Sequence, residues 1–77
     1  MRDFEEVIER LQACIPLDIK PQFEEVIKDR GYCPPEEVWN EYGLRIAIFF
    51  GSKGYDPYNP SSPHWIRKCG SILRGEE

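Results

Sequence analysis

Apolar side chains in the opening segment fall on one side of a helix. Phe4, Val7, Ile8, Leu11, Cys14 and Ile15 fall at i, i+3, i+4, i+7, i+10 and i+11, the spacing of one face at 3.6 residues per turn. The pattern predicts a helix over residues 3–15. Asp3 stands where an N-cap is wanted, with Glu6 three residues on, a variant of the capping box. Pro16, which has no amide hydrogen to donate, stops the helix. A second stripe, Phe23, Val26 and Ile27, predicts a helix over 21–30 that enters on Pro21 and closes at Gly31, just after Lys28 and Arg30.

The two segments are related. At an offset of 19, Phe4 to Ile8 match Phe23 to Ile27 at all five positions, Cys14 matches Cys33 and Pro16 matches Pro35. A duplicated helical unit would explain this, as would two helices converging on one amphipathic string against a shared core. One pair is too few for a solenoid.

Pro34-Pro35-Glu36-Glu37 opens a third helix, with proline at the entry and carboxylates against the positive end of the dipole. Its end has two readings. Gly43 could terminate it and leave Leu44 to Phe50 as a strand rich in Ile and Phe. Continued to Phe50, the helix instead gathers Val38, Trp39, Tyr42, Gly43, Ile46, Phe49 and Phe50 within about 140° of arc at 100° per residue. The strand alternates less well, because Ala47 and Phe49 oppose Ile46, Ile48 and Phe50, and no other segment alternates to pair with it. The helix over 35–50 is preferred. Residues 51–62 then form a loop rich in Gly and Pro. Ser62 caps a fourth helix over 62–74, with Pro63 at its first position and Trp65, Ile66, Cys69, Ile72 and Leu73 on one stripe. Gly70 weakens that helix by about 1 kcal/mol relative to Ala, and Gly75 ends it. Four helices with short links predict an all-α fold, a compact bundle of four short helices in one domain spanning 1–77. The alternative is α+β with a short strand at 44–50.

Composition narrows the picture. A chain of 77 residues is enough for one domain and buries only about 60–65% of its unfolded surface. With 40% hydrophobic and 31% charged residues, disorder is not expected. The longest apolar run, Ile46 to Phe50, is far too short for a membrane span. Arg2, Asp3, Glu5 and Glu6 exclude a secretory h-region there, so a cytoplasmic location is the default. Three cysteines, an odd number with no close pair, read as buried thiols rather than a disulfide framework.

Charge is unevenly placed. Residues 1–43 carry 11 acidic and 5 basic side chains, a net of −6, and residues 44–77 carry 3 and 5, a net of +2. The acidic half disfavours nucleic-acid affinity for the surface as a whole.

Several chemistries fail on spacing. Cys14, Cys33, His64 and Cys69 lack the close ligand pairs of a zinc site, and His64 and Cys69 sit about 140° apart on a helix. Nothing local supports a Cys–His nucleophile. The doublets Glu5-Glu6, Glu24-Glu25, Glu36-Glu37 and Glu76-Glu77 point their members about 100° apart, and three of them fall in a first helical turn, where they complement the dipole. Gly51-Ser52-Lys53-Gly54 has the wrong order for a phosphate loop. Pro57, Pro60 and Pro63 have the period of a polyproline helix, but a folded-back loop with Tyr55 and Tyr58 packed on the core is preferred. A helix-turn-helix would open its recognition helix on carboxylates facing phosphates. Among the last helix's basic residues, Arg67, Lys68 and Arg74 lie off the apolar stripe and make only a weak patch.

What remains is a surface for a partner. Ten of the 77 residues are Phe, Tyr or Trp, more than so small a bundle readily buries, and Trp39, Tyr55, Tyr58 and Trp65 are the aromatic candidates. The acidic candidates are Glu5, Glu9, Glu24, Glu25, Asp29, Glu36, Glu37 and Glu41. Together they predict a non-enzymatic interaction module without cofactor, metal or catalytic residues, docking on a protein with a basic surface. By size and charge it could act as an inhibitor covering a nucleic-acid-binding groove, as phage anti-defence proteins do. A homodimer is a further partner considered, and a nucleic-acid-binding regulator using the basic last helix is the alternative.

Overall fold

A computed structural model describes residues 3–76. Arg2 and Glu77, counted among the charges above, lie outside the described residues. Among the described residues four α-helices form an all-α bundle: α1 (Phe4–Cys14), α2 (Lys20–Ile27), α3 (Val38–Ser52) and α4 (His64–Arg74), with a 3₁₀ turn at Arg30–Tyr32. Leu44 to Phe50 belongs to α3, so the strand alternative does not hold. The strand would have placed Ile46, Ile48 and Phe50 together. The helix buries Val38, Tyr42, Ile46, Phe49 and Phe50 and turns Ile48 outward.

Helix ends depart from the sequence reading for local reasons. Asp3 caps α1 as expected, its carboxylate accepting from the Glu5 amide at 3.0 Å. α2 ends at Ile27, short of Arg30, because the Arg30 guanidinium donates to the Ile27 carbonyl at 3.0 Å and satisfies the C-terminus from the side. Gly31 therefore does not cap: it lies in the 3₁₀ turn without a positive φ. Since α2 begins at Lys20, Glu24 and Glu25 fall in its second turn and not at its dipole end. Glu36 and Glu37 precede α3 in a turn closed by the Glu37 amide on the Pro34 carbonyl at 2.9 Å. Ser62 does not cap α4, since its hydroxyl donates to the Asp56 carbonyl at 2.6 Å, and Pro63 takes the cap position.

α3 runs past Gly51 and stops at Gly54, whose φ of 73° is the left-handed conformation that glycine adopts without strain. The Tyr55 amide then reaches the Phe50 carbonyl at 2.9 Å and the Gly54 amide reaches Gly51 at 3.1 Å. This is a Schellman closure, and Tyr55 and Phe50 supply the apolar contact that accompanies it, with ring centroids 6.1 Å apart. Gly75 ends α4 the same way at φ 82°.

α1 packs on α4 and α2 on α3. Phe23, Ile8, Leu11, Ile27, Ile46 and Cys69 are the largest fully buried side chains. Phe4 meets Trp39 edge-on at 4.9 Å at one side of the core. Elsewhere in the core a chain of rings runs Phe23, Phe49, Phe50, Tyr55 and Trp65. Both FEEVI strings point their apolar residues inward: Phe4, Val7, Ile8, Phe23 and Ile27 are buried and Val26 is partly so.

The proline loop folds back on the bundle. Asp56 and Asn59 side chains accept from the Tyr58 and Ser61 amides, both at 2.9 Å, making two successive side-chain turns. Tyr55 packs as expected, but Tyr58 does not: it is 73% exposed. Gly70 has a reason the sequence hid. A Cβ there would stand 2.4 Å from Pro57 Cβ, so the loop lies against α4 only because position 70 lacks a side chain. Gly70→Ala would raise helix propensity by about 1 kcal/mol yet force the loop away, an overpacking loss of about 1–3 kcal/mol. We expect a net loss in urea denaturation, and a stabilised variant would contradict this packing.

No helix among the described residues is long and apolar enough to cross a membrane.

Candidate functional site

The acidic candidates divide into paired and unpaired groups. Glu5 holds Arg30 with both carboxylate oxygens, at 2.8 and 2.9 Å, tying α1 to the 3₁₀ turn. Glu25 pairs with Lys28 and Glu41 with Arg45. Glu6, on the same helix as Glu5, pairs with Arg10. Among the described residues Glu9, Glu24, Asp29, Glu36 and Glu37 form no ion pair, and all five are exposed. The structure gathers Glu36, Glu37 and Glu41 around Cys33. That thiol's pKa is raised, first by partial burial and then by those three carboxylates. Glu9 and Glu24 stand apart from that group, on the exposed sides of α1 and α2.

The aromatic candidates separate as well. Trp39 packs edge-on against Phe4, and Tyr55 edge-on against Trp65 at 5.2 Å, so these three are partly buried packing elements. Tyr58 stands out from the surface, with the Arg74 guanidinium over its ring at 4.8 Å. Arg74 is also bonded to Glu76, which holds the Glu76 carboxyl below its usual range. Lys53 is drawn to Gln22 and to the Phe49 ring. On the last helix, the charge of Arg74 is thus offset by Glu76.

Among the described residues, grooves open at two places of interest. One, about 410 Å³, lies between the start of α1 and the 3₁₀ turn and is lined by Phe4, Glu5, Arg30, Cys33, Val38 and Trp39 among others. The other, about 470 Å³ and almost wholly apolar, lies between the second half of α3, the loop and α4, lined by Ala47, Gly51, Tyr58, Gly70 and Leu73 among others.

Sequence reasoning missed the exposed apolar residues. Tyr32 is 92% exposed, Leu17 81%, Leu44 63% and Ile48 60%. For α3 a signal was present: Leu44, Ala47, Ile48 and Gly51 recur at i, i+3, i+4 and i+7, a second apolar stripe opposite the buried one.

His64 is exposed, and among the described residues no three His, Cys, Asp or Glu side chains come together as a metal site. Cys69 is buried between the helices, and that burial, with Cys14 nearby, pushes its pKa from 9.0 to about 12. Because the thiolate is the nucleophile, iodoacetamide at mildly alkaline pH should modify Cys69 last of the three cysteines, and Cys69 reacting first would contradict the packing. The sign of the linkage follows. The folded-state pKa lies above the unfolded one, so this contribution to stability is whole below pH 9 and is lost as pH rises towards 12. Cys69→Ala should remove that part of the alkaline slope. No family model, no curated protein and no solved structure matches the chain.

Proposed function

We propose that the chain is a non-enzymatic protein-interaction module whose acidic half docks on a basic surface of a partner protein. One observation carries this reading. In the acidic half, Arg10, Lys28 and Arg30 are already paired with Glu6, Glu25 and Glu5, while Glu9, Glu24, Asp29, Glu36 and Glu37 have no ion pair among the described residues. Unpaired carboxylates on a rigid helical frame steer a cationic partner and fix its register. Three free thiols fit a reducing, cytoplasmic setting. An inhibitor that covers a nucleic-acid-binding groove is one form such a module takes. The nucleic-acid-binding alternative draws less support, because Arg74 on the last helix is already paired with Glu76.

The test is capture from a native lysate followed by a salt series. A specific partner bound at low salt and released as salt rises is the expected result. A partner retained equally at high salt, or none, would overturn the reading, and a gel shift with nucleic acid at low salt would favour the alternative.

A further inference from the structure

We propose that the cleft between the start of α1 and the 3₁₀ turn receives a lysine or arginine side chain of the partner protein. This rests on the docking reading above and names where on the acidic half the partner is held. The cleft has an apolar floor and an acidic mouth. Phe4 and Val38 are buried beneath it, and Pro35 forms part of its wall. Its lining carries three charges, those of Asp3, Glu5 and Arg30. The cation of these three is already engaged: Arg30 Nε donates to both Glu5 oxygens, and its Nη1 donates to the Ile27 carbonyl. Asp3 forms no ion pair among the described residues, and its carboxylate accepts from the Glu5 amide. Glu36 and Glu37, next along the chain from Pro35, are exposed and likewise form no ion pair among the described residues.

A long basic side chain matches this arrangement. It lays its aliphatic stem on apolar surface and keeps its charged head in water beside carboxylates. An acidic side chain would instead meet Asp3, Glu36 and Glu37 as like charges. Cys33 also lines the cleft, and its thiol senses the field there. After partial burial, Glu37, Glu41 and Glu36 raise its pKa, and Arg45 acts against them. Carboxylates thus set the sign of the potential inside the cleft as well as at its mouth. At about 410 Å³ the cleft has room for such a side chain. It would fix the register of the partner as an anchor in a pocket does, while the exposed carboxylates of α1 and α2 steer the approach.

The test adds N-acetyl-argininamide to the isotope-labelled chain at low salt. N-acetyl-citrullinamide, its uncharged counterpart of nearly the same shape, is the comparison. No partner protein is needed, so the outcome is separate from that of the capture experiment. Saturable shifts of the Asp3, Gly31 and Cys33 amide resonances are the expected result, with a Kd on the order of 1–10 mM. The citrulline compound should bind about fivefold more weakly or worse. Glu36→Gln with Glu37→Gln should weaken the arginine compound by about threefold or more, and the same spectra report that the double variant is folded. Shifts scattered over the acidic surface, shifts that do not saturate, or equal binding of the two compounds would overturn the proposal. So would an unchanged affinity in the folded double variant.

Discussion

Phe23→Ala leaves a large part of the population unfolded under conditions where the wild-type chain is folded. Phe23 is fully buried, in contact with Phe49 at 5.9 Å and Phe50 at 6.5 Å between ring centroids. It fastens α2 to α3 at the start of the ring chain that ends at Trp65. Removing a buried phenylalanine costs about 3–5 kcal/mol in lost transfer energy and residual cavity. A domain with a core this small begins near the low end of the usual range of about 5–15 kcal/mol. A urea titration followed by circular dichroism should show the midpoint fall towards zero with little change in slope. Val26→Ala, partly buried in the same string, should lose far less. Equal effects at the two positions would mean that the stripe does not face the core as described.

The second large effect concerns binding. Neutralising Glu9, Glu24 and Asp29 together, as Glu9→Gln, Glu24→Gln and Asp29→Asn, should weaken the captured partner by about 2 kcal/mol, roughly thirtyfold in Kd. Exposed charges contribute up to about 1 kcal/mol each. Without ion pairs among the described residues, these side chains can be changed with little loss of stability. Glu6→Gln is the natural control, since that carboxylate is already engaged with Arg10 at 3.2 Å.

Much of the fold can be read along the chain because hydrophobic spacing is a local property. Phe4, Val7, Ile8, Leu11 and Ile15 all reach the core, and the arc from Val38 to Phe50 separates helix from strand. The helix ends are harder to read because distant or side-chain partners decide them. Arg30 satisfies Ile27 and reaches Glu5, 25 residues away. Ser62 turns to Asp56, and the cap of α3 moves to Gly54 because Tyr55 can close on Phe50. Gly70 reads as a weak point until Pro57 is seen against it.

The candidate surface was only half legible for the same reason. Net charge is visible in the sequence, but which carboxylates remain unpaired depends on which cations fold next to them. The exposed stripe of α3 was written at helical spacing, yet it lay behind a stronger stripe on the same helix.

The proposed docking rests on the unpaired carboxylates of the acidic half. Its most direct test is the affinity for the captured partner as a function of salt, for the wild type and the triple variant. Weaker binding for the variant, with a shallower dependence of log Kd on log salt, is the expected result. Equal affinity and equal slope for the two proteins would contradict it.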